Sequence, residues 1–162
     1  MAVFRPVLAV SQAPFPKAGA VGWTIASLDL ERVQPLVEPL LVACAADSVA
    51  GPRLSLAGLR AELASRPYRI TAGFLARATQ GSAVADVVGL AIVVEALAAG
   101  RRRFSLSWLL VHPAVRRQGV ATALLARACD HVRKRGGAEI AAETLDSWPV
   151  AVAFWQTFTR DR

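Results

Sequence analysis

The residues from Leu109 to Thr122 read Leu-Leu-Val-His-Pro-Ala-Val-Arg-Arg-Gln-Gly-Val-Ala-Thr. An apolar run ends at a proline, two arginines occupy the turn, and a glycine precedes small residues that open a helical pattern. Such a junction can hold an anion. The first N–H groups of a helix have no partner within it, and the helix dipole adds about half a positive charge at that end. Gly119 lacks a side chain and Ala121 carries only a methyl, so a pyrophosphate could come against the backbone while Arg116 and Arg117 supply charge. A plain glycine turn with solvated arginines uses the same residues. Neither the P-loop nor the Gly-x-Gly-x-x-Gly spacing is present.

The other reactive side chains point to less. Cys44 and Cys129 each lie in an apolar stretch, outside any metal or Cys-x-x-Cys spacing, and read as small core residues. His112 and His131 have no partner at ligand spacing, so no metal is expected. Ser48, Ser55 and Ser107 show no nucleophile elbow, so a serine hydrolase is not supported. Arg101-Arg102-Arg103 follows Gly100 and reads as a solvated turn between strands, which gives no reason to expect a nucleic-acid partner.

The elements that would position the junction follow from periodicity. Residues 1–22 read as an N-terminal arm, ending in the Pro- and Gly-punctuated segment from Pro14 to Gly22, and 23–162 as one domain. Trp23 to Leu28 suits a short strand. After Asp29, the residues Val33, Leu36, Val37, Leu40 and Leu41 mark a helix that two prolines should kink, ended by Gly51-Pro52. A second helix opens at Ser55 and stops at Arg66-Pro67. Tyr68 to Ala78, Ala83 to Leu97 and Phe104 to His112 form a three-strand meander, divided by turns at Gln80-Gly81 and Ala99-Gly100. Gly119 to Arg135 is an amphipathic helix with basic residues at its negative dipole end, stopped by Gly136-Gly137. Ala138 to Leu145 then reads as a strand parallel to the one before the junction, and Val150 to Thr159 as a last helix. The fold class is α/β, in its α+β form with a mixed sheet.

Composition bounds the rest. A chain of 162 residues is one domain's worth, and 54% hydrophobic against 19% charged residues excludes a disordered chain or a disulfide-stapled mini-protein. Nineteen Lys and Arg against twelve Asp and Glu leave a net charge of +7, and Lys17 and Lys134 are the only lysines. Arginine suits planar pairing with phosphate or carboxylate, so an anionic ligand fits the charge. The apolar tracts are interrupted by Pro35, Glu38 and Pro39 and by Asp86 and Glu95, so no transmembrane helix or membrane partner is expected. Arg5 and Pro6 interrupt what a signal peptide would need, so a cytoplasmic location is expected.

From Val111 to Leu125 the chain resembles the GNAT superfamily of N-acetyltransferases, whose acetyl-CoA loop has the pattern Gln/Arg-x-x-Gly-x-Gly/Ala after a strand ending in Val-x-Pro. Arg116 holds the first position. The likeness extends from about Ala83 through Trp155. It implies a GNAT-like acyltransferase fold and an N-acetyltransferase that moves an acetyl group from acetyl-CoA to a primary amine of a small molecule or protein, by direct attack in a ternary complex. The pyrophosphate would lie on the backbone of Arg117, Gln118, Gly119, Val120, Ala121 and Thr122. Backbone groups of Leu110 and Val111 would bond the pantetheine arm, and one amide there would meet the thioester carbonyl.

Departures from the pattern matter as much. Many members place a glutamate base on the strand from Phe104 to Val111, where this chain offers only Ser105 and Ser107. Glu143 is the best remaining carboxylate and Asp146 the second. Either could instead be structural, Glu143 as a solvated strand residue and Asp146 as a helix cap. Trp155 takes the place of the family's tyrosine acid beside the cofactor, and an indole N–H is no useful acid. It reads equally as a core aromatic. Thr159-Arg160 stand where the family continues into two more strands, so the C-terminal end of the sheet is expected to be short. Its open edge beside Ala138 to Leu145 should be covered by Val3 to Val10 or by a second subunit, which favours a homodimer. Two alternatives fit these departures: a non-catalytic acyl-CoA-binding protein, and a toxin-type acetyltransferase acting on charged tRNA.

Overall fold

A computed structural model of the chain describes residues 2–14, 22–28, 34–46, 54–65, 69–79 and 86–159, without the side chains of 34, 35, 59, 60, 62, 63 and 65. Lys17, Asp29, Val33, Ser48, Gly51-Pro52, Arg66-Pro67, Tyr68, Gln80-Gly81, Ala83 and Arg160 lie outside the described residues.

Eight strands and four α-helices alternate along the described chain: β1 (Val3–Phe4), β2 (Val7–Ala9), β3 (Trp23–Ser27), α1 (Gln34–Ala46), α2 (Leu56–Ser65), β4 (Arg69–Ala78), β5 (Val87–Ala98), β6 (Arg101–Val111), α3 (Val120–Lys134), β7 (Glu139–Ala142), β8 (Thr144–Leu145) and α4 (Pro149–Thr159). Six strands form one sheet in the order β2-β7-β6-β5-β4-β3, and β1 pairs with β8 in a two-stranded sheet. All neighbours in the large sheet are antiparallel except β6 and β7, which α3 joins as a parallel crossover.

Each face of the sheet has its own apolar layer. Val37, Leu40, Leu41 and Cys44 of α1 pack on Leu90, Ile92, Trp108 and Leu110, while Val120, Leu124, Leu125, Ala128 and Val132 of α3 pack on Val88, Ala91, Phe104 and Leu106. Covered on both sides, β5 is buried without a break from Val87 to Val94, which is why its sequence is an apolar run rather than an alternation. Each fully buried leucine, such as Leu90, Leu124 or Leu125, contributes about 1.5–3 kcal/mol.

The local signals explain most boundaries. The Ser55 hydroxyl accepts the Gly58 N–H at 2.9 Å and so caps α2. Helix α3 ends where the Gly137 N–H reaches the Val132 carbonyl and the Gly136 N–H the Arg133 carbonyl, both at 2.9 Å, the double closure of a Schellman motif. Ala99 and Gly100 both have positive φ, 51° and 73°, which closes a two-residue hairpin whose twist matches its strands. Pairing resumes at once with Ala98 opposite Arg101, so Arg101, Arg102 and Arg103 are the first three residues of β6 and not the turn itself.

Two further differences come from packing. The strand expected over Ala138 to Leu145 is broken at Glu143, because β7 stays with β6 while β8 leaves to pair with β1. Its outer edge is taken by the arm, with β2 antiparallel to β7 through Val7 and Ala141, Leu8 and Ile140, and Ala9 and Glu139. This edge therefore needs no second subunit. The arm is held by burial of Leu8 and Val10, 1% and 6% exposed.

Candidate functional site

Strands β6 and β7 stay together for only three pairs, Phe104 with Ile140, Ser105 with Ala141 and Leu106 with Ala142. Beyond these β7 ends and β6 runs on to Val111, so among the described residues its backbone on that side meets no strand. Ile92 lies opposite Trp108 but Val93 opposite Leu106, so Ser107 is an extra residue in β6. This bulge reverses the strand's faces. Phe104 and Leu106 point to the α3 layer before it, whereas Trp108 and Leu110 point to the α1 layer after it.

Direction of the backbone groups follows from one bond. The His112 N–H donates to the Val88 carbonyl of β5 at 2.9 Å. Successive residues of a strand address opposite neighbours, so Leu110 also addresses β5 while Leu109 and Val111 address the opening. The Val111 carbonyl agrees, accepting Arg116 Nε at 3.3 Å and Cys44 Sγ at 3.5 Å.

Past Val111 the chain turns over a short 3-10 segment, Pro113–Val115, with His112 Nδ1 accepting the Ala114 N–H at 3.2 Å. Arg117 takes φ 64°, a left-handed conformation that an arginine adopts at a cost of about 1–2 kcal/mol. Gly119 is the N-cap of α3 with φ 85°, and a Cβ added to it would meet no atom of a more distant residue within 4 Å. The helix therefore starts on open space without a capping side chain, which leaves the first amides of α3 to an outside acceptor. Arg117, Gln118 and Gly119 are exposed, Ala121 and Thr122 half-buried, and the Val120 side chain is buried.

The same turn is pressed onto the sheet by Gly89. A Cβ there would lie 2.9 Å from Leu124 Cδ1, 2.9 Å from Val120 Cγ1 and 3.2 Å from Ala76 Cβ. Only a glycine on β5 lets the start of α3 sit this close. A lone glycine inside an apolar strand pattern is the sequence signal for it.

The carboxylates stand at the lower end of the opening. Glu143 follows Ala142 directly, is exposed, and pairs through Oε1 with Arg5 Nε of the arm at 3.1 Å. Asp146 is exposed and lies past β8, its backbone N–H on the Ala2 carbonyl at 3.3 Å. Trp155 is 5% exposed within the α3 layer, edge-on to Phe154 with ring centroids 5.3 Å apart. Sequence reasoning missed Leu109, Gly89 and Arg5. Among the described residues no group of three or more metal-ligating side chains occurs, and no helix is long and apolar enough to cross a membrane.

The sequence model of the Acetyltransferase (GNAT) family matches residues 58–158. Solved structures share the fold. One is a transcriptional regulator from Bacillus halodurans C-125, 21% identical over 83% of this chain and 90% of that one, with a TM-score of 0.59. Another is a ribosomal-protein-alanine N-acetyltransferase from Brucella melitensis biovar Abortus 2308, 22% identical over 85% and 90%, with a TM-score of 0.62. A third is a chain of the NatC complex bound to Gag peptide and CoA, 16% identical over 85% and 83%, with a TM-score of 0.63. No curated protein matches the sequence.

Proposed function

The chain belongs to the GNAT acetyltransferase family, and from that premise we propose that it transfers an acetyl group from acetyl-CoA to a primary amine by direct attack in a ternary complex. The observation that carries this reading is the parting of β6 from β7 directly below a helix that starts on open space at Gly119. The pyrophosphate lies on the amides from Arg117 to Thr122, with Arg116 and Arg117 beside it. The pantetheine arm runs along β6 as an added strand, on the N–H and C=O groups of Leu109 and Val111 rather than those of Leu110.

An amide aimed into the opening polarises the thioester carbonyl, a role in which one donor is worth about 2.7–4 kcal/mol. The amine nitrogen bonds to the carbonyl carbon, the C–S bond breaks, and coenzyme A leaves as the thiolate. Glu143, exposed just past the end of β7, is the carboxylate assigned to receive the amine's proton, directly or through water, once it gives up Arg5. Asp146 is the next candidate. Trp155 bounds the cofactor cleft from the core side and supplies no proton. The acceptor is a small-molecule or protein amine.

Calorimetric titration with acetyl-CoA tests this. Wild-type protein should bind stoichiometrically, an Arg117→Ala/Gly119→Trp variant should lose binding at least tenfold, and amine-dependent thiol release should follow. Folded protein that ignores acetyl-CoA would sink the assignment. Binding without turnover on any amine selects the second reading, a non-catalytic acyl-CoA binder, which the buried Trp155 at the acid's position favours.

A further inference from the structure

We propose that Arg5 reads a carboxylate on the acceptor, so that the amine acetylated here belongs to a small amino acid. The inference deepens the proposed function and rests on it, because it takes Glu143 as the group that receives the amine's proton.

Pairing of the arm fixes where Arg5 stands. Phe4 lies opposite Thr144 and Val7 opposite Ala141, and the register is the same on both sides, which places Arg5 directly opposite Glu143. The bonds fall on even-numbered residues, with the Ala142 N–H on the Pro6 carbonyl at 3.0 Å and the Asp146 N–H on the Ala2 carbonyl at 3.3 Å. Arg5 and Glu143 are therefore a non-hydrogen-bonded pair, the kind whose side chains stand closest. The Glu143 backbone turns away from the arm, toward the side on which β6 and β7 part.

The face follows from alternation. Phe4, Leu8, Ile140 and Ala142 belong to the α3 layer, so Arg5, Val7, Ala141 and Glu143 stand on the opposite face. Past the bulge, Trp108 and Leu110 of β6 look to that same face. The anion loop opens α3 on the other one. A thioester held between β6 and β7 is thus met by the acceptor from the Arg5 side. Among the described residues the α1 layer includes none from β7 or the arm, and Val7 and Ala141 are only half-buried, which leaves that approach open.

The pair itself selects the ligand. Arg5 Nε donates to Glu143 Oε1 at 3.1 Å, and the two side chains are 71% and 51% exposed. This is one hydrogen bond where a guanidinium and a carboxylate can make two, so the planar fork is left for a second carboxylate. While Nε holds Oε1, that oxygen is closed to the amine. A carboxylate arriving with the acceptor draws the guanidinium off and frees the oxygen beside the amine it brought. A neutral amine has nothing to exchange, and a polycation is repelled. Because donor and acceptor atoms are 3.1 Å apart, amine and carboxylate must be close in the ligand, as they are in an α- or β-amino acid. Along the two strands the neighbours on this face are Val3, Leu145, Val7 and Ala141, so no adjacent charge competes for Arg5. Glu139, the next carboxylate on this face, lies four residues or about 13 Å down β7.

Acceptor kinetics at saturating acetyl-CoA test this with paired probes, leucine against leucinamide and alanine against alaninamide. Each acid should exceed its amide in kcat/KM by roughly tenfold, the worth of a charge-assisted contact, and the difference should lie in KM. Arg5→Gln should bring the acid-to-amide ratio close to one, and Arg5→Lys should restore part of it. Calorimetry gives a readout without turnover. In the presence of coenzyme A, N-acetylleucine should bind the wild-type protein roughly tenfold more tightly than Arg5→Gln, while both proteins share one acetyl-CoA affinity and one thermal midpoint. Amides used as well as acids, a ratio unmoved by Arg5→Gln, or a higher kcat/KM on spermidine or phosphoethanolamine would overturn the proposal and leave the transferase reading standing. Protein that binds acetyl-CoA and acetylates no amine would overturn both.

Discussion

Gly89 governs the anion loop without belonging to it. Its missing side chain is the space into which Val120 and Leu124 settle, and that contact sets how close the first amides of α3 come to the end of β6. Gly89→Val would drive branched methyls into both side chains, and overpacking of this kind costs about 1–3 kcal/mol. Because the displaced residues belong to the first two turns of α3, acetyl-CoA affinity should fall together with stability. A calorimetric Kd and a thermal midpoint on the same preparation check this. A midpoint lowered with Kd unchanged would mean that the loop holds its position independently of Gly89. The loop itself was legible in the sequence, because Val-x-Pro, the arginines and Gly119 are contiguous. Leu109 and Gly89 were not. Which strand residues address the opening depends on which one bonds β5, and that is a property of pairing rather than of residue type.

Helix α3 shows what an element signals and what it hides. Its buried positions recur at helical spacing and its end is marked by Gly136-Gly137, so sequence and structure agree within a residue at each end. The bulge at Ser107 left no such mark, since a serine in a strand is unremarkable until two apolar layers demand opposite faces on either side of it. The break at Glu143 was hidden for a similar reason, the pull of β1 on β8. The helix also carries two titratable groups, a buried thiol and a half-buried imidazole, that respond to pH in opposite directions. Burial pushes the Cys129 thiol up to about 11 from 9.0, with Arg133 opposing weakly. Burial lowers His131 from 6.5, the Arg135 charge lowers it further, and Glu95 and Asp130 oppose. Its Nε2 lies 3.2 Å from Thr71 Oγ1. A thiol whose folded value is raised gives stability that is complete below 9.0 and lost as pH climbs from 9.0 to about 11, a loss of about 2–3 kcal/mol. A histidine whose folded value is lowered gives stability that is present above 6.5 and is lost as pH falls below it. Denaturant unfolding across pH should therefore show stability falling on both sides. Cys129→Ala should flatten the alkaline limb alone and His131→Gln the acid limb alone. An alkaline limb unchanged in Cys129→Ala would show that the thiol does not report burial.

At the scale of the whole molecule the N-terminal arm is structural. It supplies the strand that closes the sheet beyond β7 and the partner that draws β8 away, and through both it fixes where β7 stops and where the cleft opens. The Ala142 N–H donates to the Pro6 carbonyl at 3.0 Å, the Val10 N–H donates to the Ala138 carbonyl at 2.8 Å, and Leu8 sits at 1% exposure in the α3 layer. The sequence pointed to the arm as one of two covers for this edge, but two short strands with a proline between them carry no register of their own, so pairing could be read only from the fold. Leu8→Ala should cost about 2–5 kcal/mol, the range for emptying a fully buried leucine site. Removal of residues 1–10 should do more, because it bares the backbone of β7 as an edge on which another chain can pair. The truncated protein should self-associate with rising concentration in sedimentation velocity and should lose acetyl-CoA binding, whereas Leu8→Ala should stay in the wild-type oligomeric state and keep the cofactor site at temperatures below its lowered midpoint. A truncated chain that unfolds at the wild-type temperature and sediments as wild type would show that β7 does not depend on the arm. The cleft would then be shaped by α3 and β6 alone.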